Sequence, residues 1–209
     1  MKELSSPLTQ EELSDGNLAL IVIDMQYNIT AQGHGVLKNA EELGVREGYE
    51  YYYDRIQNFL IPNIQELLNS FRETEDLIVF TKIRSDSSSD GKQEKGSIED
   101  ADDGVILKEI RPINDDIVII KDDPNIFRNT ELDSLLREHG IDTLIMAGVL
   151  TNECVEASVL QAVKNDYRVI LVEDSTAAFS EGIHERALDL IHESSVIITS
   201  TKDILDLLF

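Results

Sequence analysis

The sequence predicts an α/β fold, a three-layer α/β/α sandwich around a central, mainly parallel six-stranded sheet. Three observations predict it. Six short apolar runs recur between polar turns, and they lack the strict alternation of half-exposed strands, as strands buried on both faces do. Through the second half of the chain these runs alternate with segments apolar at helical spacing, the rhythm that right-handed βαβ crossovers produce. With 209 residues, 42% of them hydrophobic, the chain can bury one substantial core, so a single domain over residues 1–209 is expected.

Taken in order, the strand candidates are residues 18–23, 77–83, 117–120, 143–147, 168–172 and 196–199. The helix candidates are 52–71, 130–139, 152–165, 182–192 and a final 202–208. In the first helix, Ile56, Phe59, Leu60, Ile64, Leu67, Leu68 and Phe71 form an apolar stripe, with Pro62 a candidate kink. Thr130 and Asn152 read as N-caps, and Gly140 as a helix stop. Two segments break the rhythm. Residues 31–53 form a long insertion after the first strand, and residues 85–103 are rich in Ser, Asp and Gly. Loops of that length in a compact domain tend to be functional or disordered, so both are expected near a site entrance.

The chain carries 41 acidic and 18 basic residues, a formal charge of −23, so its average field repels phosphate backbones and anionic membranes. This disfavours nucleic acid and membrane as partners, and a small-molecule substrate is expected. The acidity also suits salt-rich surroundings, which composition does not separate from ordinary solubility. The longest apolar stretches fall well short of the roughly 18 residues that cross a bilayer. The opening residues are polar where a secretory signal would be apolar. A single cysteine allows no internal disulfide, so a reducing cytoplasm is the expected compartment, and the Asn28-Ile29-Thr30 sequon is read as coincidental.

In parallel α/β sheets ligands bind beyond the carboxyl ends of the strands. The residues there are Asp24 after the first strand, Arg84 and Asp86 after the second, Lys121 after the third, Gly148 to Cys154 after the fourth, and Asp174 after the fifth. Asp24 directly follows Leu-Ile-Val-Ile, where a carboxylate needs a partner or is costly to desolvate, although a strand-end aspartate also serves to cap a loop. Lys121 ends Ile-Val-Ile-Ile, with a surface lysine as the bland alternative. Cys154 sits one turn into a helix whose N-terminal amides and dipole are expected to stabilise a thiolate, while buried cysteine is also common as simple packing. What favours chemistry is convergence: one sheet edge collects a nucleophile, a base and a cation that pairs the site's charges.

These residues resemble a known family. The run Leu18-Ala-Leu-Ile-Val-Ile-Asp24-Met25-Gln26 looks like its opening motif. Lys121, followed by Asn125-Ile126-Phe127 and Thr130-Glu131-Leu132, is similar to its lysine, Phe and Thr-x-Leu pattern. Met146-Ala147-Gly148-Val149-Leu150-Thr151-Asn152-Glu153-Cys154-Val155, continuing through Ala162 and Tyr167 to Asp174-Ser175, resembles its nucleophile elbow. The family is the isochorismatase-like hydrolases, whose fold is Rossmann-like, and the likeness runs from Leu18 to the C-terminus.

The resemblance implies that Asp24 is the general base for Cys154 and that Lys121 pairs with both carboxylate and substrate. It implies a cis peptide between Val149 and Leu150, and an oxyanion hole made by the backbone N–H groups of Leu150 and Cys154. Cysteine marks the amidase branches, which cleave a C–N bond of amide, ureido or carbamoyl compounds through a thioester; true isochorismatases cleave a vinyl ether without it. Family members assemble as homodimers or larger homo-oligomers, and the same is expected here. Nicotinamidases of the family carry Asp-x-His and a further His after the second strand, whereas this chain reads Thr81-Lys82-Ile83-Arg84-Ser85-Asp86. Neither such a zinc site nor a cofactor is therefore expected. The usual Phe shortly after Asp-x-Gln is missing, with Tyr27, Asn28 and Ile29 in its neighbourhood.

Substrate contacts are assigned to Arg84, Phe127, Tyr27 and Asn152. Arg84 has the fork to clamp a carboxylate, or a salt bridge to one of the nearby acids; Phe127 lines either pocket or core. Of the four histidines, His139, His184 and His192 fall on or next to predicted helices and read as solvated surface. His34, within Gly33-His34-Gly35, is placed to reach the pocket or merely to turn the chain. The aromatic run from Tyr49 to Tyr53 suits a subunit interface or a helix start packed on the body. A dinucleotide-binding enzyme is excluded by Asp24-Met25-Gln26, which is no glycine-rich cradle. Ether cleavage and a non-catalytic binding role stay open.

Overall fold

A computed structural model of the chain describes residues 17–35, 38, 49–84, 104–113 and 115–208. Six strands form one sheet in the order β3-β2-β1-β4-β5-β6: β1 (Leu18–Ile23), β2 (Leu77–Ile83), β3 (Ile117–Lys121), β4 (Thr143–Val149), β5 (Arg168–Ala177) and β6 (Ile197–Thr199). Every pairing is parallel, so the sheet expected to be mainly parallel is wholly so. All six residues of β1 and all seven of β4 are buried, because these two central strands are covered on both faces.

The helices fall on two sides. Alternate residues of the central strands, Leu20, Val22, Phe80 and Ile145, pack on Ile56, Leu60, Ile64, Leu67, Phe71 and Ile204. These come from the π-type turn Ile56–Leu60, α3 (Ile61–Glu73) and α7 (Thr201–Leu208), and Tyr52 of α2 (Glu50–Arg55) joins them. Ala19, Ile21, Ile23 and Met146 point the other way and meet Leu132, Leu136, Val155, Val159, Ala162 and Ile191. This second layer consists of α4 (Leu132–Glu138), α5 (Glu156–Lys164) and α6 (Glu181–His192). One helical turn, α1 (Tyr27–Thr30), follows β1. Among the described residues no helix is long and apolar enough to cross a membrane.

Several expectations need correction. Helix α2 starts at Glu50, inside the segment read as insertion, because Tyr52 is fully buried and packs edge-on against Phe179 at 4.9 Å. The Tyr49 to Tyr53 run is thus a helix start packed on the body. Pro62 lies in the first turn of α3, just after the π-type turn, which is where the long helix accommodates the missing N–H. Thr130 caps from one position back: α4 starts at Leu132 behind Glu131, whose side chain makes no capping bond, and the Thr130 hydroxyl accepts from Leu132 N at 3.4 Å while donating to Ile126 O at 2.5 Å. Asn152 does not cap its helix, since the first turn, Thr151–Val155, begins after Leu150. Gly140 does stop α4, with φ at +68°.

Strand β5 outruns its expected end by five residues, from 172 to 177. Its pairing with β4 slips between Leu171, opposite Met146, and Thr176, opposite Gly148, a bulge that loops residues 173–175 out of register. Asp174 therefore does not end the strand toward the site. Its Oδ1 accepts from Thr201 N at 2.8 Å and Thr201 Oγ1 at 2.7 Å, docking α7. Asp86 and the rest of residues 85–103, with most of 36–48, lie outside the described residues.

Candidate active site

The strand order reverses direction between β1 and β4, and the crevice beyond the carboxyl ends at such a reversal is where open α/β sheets take ligands. Asp24 follows β1 there. Its backbone is left-handed, φ +52°, a conformation Asp tolerates better than most residues. Its N–H donates to Thr81 O at 3.1 Å, and Thr81 Oγ1 donates to Oδ1 at 2.9 Å. The other carboxylate oxygen, Oδ2, lies 2.6 Å from Lys121 Nζ, and both side chains are fully buried.

Lys121 closes β3, two strands away, and its ammonium is held from several directions. Besides Asp24 it reaches Asp123 O at 3.1 Å, Pro124 O at 3.4 Å and Cys154 Sγ at 3.4 Å. An ammonium has three protons, so these four acceptors saturate it and the charge has no freedom to swing out to solvent. The buried pair compensates itself, the condition under which an interior charge is tolerable.

Cys154 comes from the turn after β4. One feature lets β4 come close to β1 here. Gly148 pairs with Ile23, and a Cβ on Gly148 would sit 2.1 Å from Ile23 O, with φ at +119° excluding other residues as well. The next peptide, Val149-Leu150, is cis. Leu150 O then accepts from Glu153 N at 3.0 Å and Val155 N at 3.1 Å, winding the turn tightly. Ser158 Oγ donates to Cys154 O at 2.5 Å and accepts from Ile126 N at 3.2 Å, tying the turn to the loop after Lys121.

The thiol is 6% exposed. Burial pushes its pKa up to about 12, and the Asp24 charge together with its hydrogen bond to the thiol adds to the rise, outweighing Lys121. The expectation of a dipole-stabilised thiolate is thus corrected: at neutral pH Cys154 is a thiol, its proton directed at a carboxylate. A helix terminus contributes less than the loss of water around sulfur.

The remaining assigned residues are spread around this cluster. Arg84, just beyond β2, is exposed, and its N–H donates to Lys121 O at 3.0 Å. Asn152 lies on the cysteine turn, and its Oδ1 is buried without a hydrogen-bond partner among the described residues. Phe127 packs against the second core cluster, its ring stacked on Tyr167 at 6.0 Å. The Tyr27 ring lies 5.3 Å from that of His34, and its hydroxyl accepts from Lys108 N at 3.4 Å. Among the described residues no group of three His, Cys, Asp or Glu is arranged to hold a metal ion.

Two residues escaped the sequence reading. Gln26 is fully buried; its amide donates to Ile83 O at 3.1 Å and Gly104 O at 3.0 Å and accepts from Ile83 N at 2.7 Å. It therefore grips both chain ends that flank residues 85–103, two positions from Asp24. The signal was available: a glutamine two residues after a strand-end aspartate, with only Met25 between them. The other is His184, read as solvated surface but only 4% exposed. It shares one buried face of α6 with Ala187 and Ile191, at i, i+3 and i+7, and that spacing was the available signal.

Comparison with known proteins places the chain among relatives. The family model described as "Isochorismatase domain" matches residues 18–203. An uncharacterized isochorismatase family protein of Bacillus subtilis, YddQ, is 27% identical over 175 residues, covering 83% of this chain and 85% of that protein. The ureidoacrylate amidohydrolase RutB of Agrobacterium fabrum is 35% identical over 94 residues, covering 45% of this chain and 38% of that one. Among solved structures, a cysteine hydrolase from Pseudomonas syringae pv. phaseolicola superimposes with a TM-score of 0.75 at 22% identity, covering 100% of this chain and 98% of that one.

Proposed function

Because the chain belongs to the isochorismatase family of hydrolases, we propose that it hydrolyses a C–N bond of a small amide, ureido or carbamoyl compound, with Cys154 as nucleophile. The observation that carries this reading is the buried cluster in which Lys121 Nζ stands 2.6 Å from Asp24 Oδ2 and 3.4 Å from Cys154 Sγ. The name of RutB, an amidohydrolase of a ureido compound, points the same way.

In this reading the thiol gives its proton to Asp24 as sulfur attacks the carbonyl carbon. The raised thiol pKa suits such a concerted transfer, because a free thiolate need never form. The oxyanion is received by the N–H groups of Leu150 and Cys154. Asp24 then protonates the departing nitrogen, the C–N bond breaks, and ammonia or an amine leaves a thioester. Water attacks that thioester, losing its proton to Asp24, and the acid product departs as the thiol is restored. Lys121 keeps the cluster's charge compensated throughout. Arg84 is the residue for an anionic group on the substrate, Asn152 Oδ1 for a substrate N–H, and Phe127 and Tyr27 for apolar walls.

The test is ammonia release from a panel of small amides, ureas and carbamoyl compounds by the wild-type protein and by Cys154→Ala. Release that vanishes with the thiol supports the proposal and identifies the substrate class. Activity on a vinyl ether that survives the substitution, with no release of ammonia by either protein, would replace C–N cleavage by ether cleavage.

A further inference from the structure

The bulge in β5 leaves residue 173 out of the regular ladder, which resumes at residue 176 opposite Gly148, and further donors meet the carbonyls of both. Arg55, the last residue of α2, supplies them: its Nε donates to Thr176 O at 2.7 Å and its Nη2 to Glu173 O at 2.9 Å. These bonds hold the guanidinium with Nη2 2.9 Å from Nε2 of His184. A guanidinium has donors and no acceptor, so Nε2 must accept. The ring proton is then on Nδ1, which lies 2.9 Å from the hydroxyl of Thr151.

Thr151 is fully buried and opens the turn that carries the cysteine. It follows Leu150 directly, and Leu150 O binds the N–H groups of Glu153 and Val155. Leu150 through Val155 therefore moves as one piece. Ser158 anchors that piece on the side of the Lys121 loop. His184 anchors it on the side of α6.

We propose that His184, with its tautomer set by Arg55, is a positioning residue that fixes the Leu150 to Cys154 turn through its hydrogen bond to Thr151. The inference rests on the hydrolase reading for its kinetic consequence, not for its geometry. Losing one of two anchors leaves the turn able to rotate about the other, shifting the sulfur and the Leu150 N–H together.

Three substitutions separate the roles. His184→Leu removes both contacts. His184→Asn places an amide N–H near the Nδ1 position and keeps the bond to Thr151. His184→Gln puts its amide near Nε2, within reach of Arg55 but short of Thr151. We expect His184→Leu to lower kcat about 10- to 100-fold with KM changed less than about threefold, as displaced catalytic groups do. His184→Asn recovers most of the loss and His184→Gln does not. Iodoacetamide alkylation of Cys154 should be several-fold faster in His184→Leu than in wild type. The ¹⁵N imidazole spectrum of the wild-type protein should show the His184 proton on Nδ1, and Arg55→Met should mix the tautomers.

A proton on Nε2 in the wild type, wild-type kcat in His184→Leu, or equal kcat in the Asn and Gln variants would each overturn the proposal. If the wild type hydrolyses nothing in the panel, the hydrolase reading fails alone, and the tautomer and alkylation measurements still decide this one. Should His184→Leu not fold, the wild-type and Arg55→Met spectra decide it.

Discussion

At the scale of single residues, Asp24 acts on the thiol in two opposite senses, and one substitution exposes both. Asp24 raises the thiol pKa by its charge and by its hydrogen bond. Asp24→Asn keeps the shape and removes the charge, so the thiol pKa should fall and alkylation of Cys154 at pH 8 should accelerate. Hydrolysis should nevertheless drop about 10²- to 10⁴-fold, the usual contribution of a general base. Measuring both rates on one preparation checks the pair, and parallel loss of both would mean that the site had collapsed. Asp24, Lys121 and Cys154 were legible in the sequence because each stands just past an apolar run, where chain order alone implies a shared edge. Arg55 and His184 were not, since their meaning depends on a contact 129 positions apart along the chain.

At the scale of elements, the approach of β4 to β1 brings the nucleophile to the carboxylate. Gly148→Ala tests that approach, because the added carbon would meet Ile23 O at 2.1 Å, a backbone atom that cannot swivel away. We expect a loss of about 3 kcal/mol from strain and clash together, lowering Tm by about 10 °C, readable by thermal unfolding. Unchanged Tm would mean that the strands part easily. The strands themselves were legible, as runs too apolar for one-sided burial. The bulge in β5 was not: residues 173–177 read as strand end and loop, and only their pairing against Met146 and Gly148 shows the strand resuming after a slip. That slip turned Asp174 from an expected strand-end residue into the acceptor that docks Thr201.

At the scale of the whole molecule, one buried group should leave a signature in stability against pH. The pKa of His184 is lowered to about 4, first by burial and then by the Arg55 charge, from an ordinary value of 6.5. A depressed folded pKa means that the unfolded chain binds the proton better, so stability is full above about 6.5 and is lost as pH falls toward 4. The loss amounts to about 3 kcal/mol for this group. Urea denaturation between pH 7 and 4 should therefore show the wild type losing more stability than His184→Gln, although carboxylate protonation affects both. Equal slopes would show that the ring is already protonated in the folded state. The net charge of −23 adds self-repulsion at neutral pH, which raises the value of every internal pairing such as Lys121 with Asp24.

The sequence by itself determined the sheet, its helical covering and the order in which chemistry-bearing residues reach one edge, because hydrophobic periodicity and strand-end position are local properties of the chain. Tertiary structure decided what those residues are. It made Cys154 a protonated thiol, since desolvation depends on everything packed around the sulfur. It made Thr151 the seat of a hydrogen bond and not Asn152 the cap of a helix, since the turn's start is set by β4 closing on β1. And it buried a histidine between two helices and a bulge, where the energy of one proton depends on a guanidinium that the chain order keeps far away.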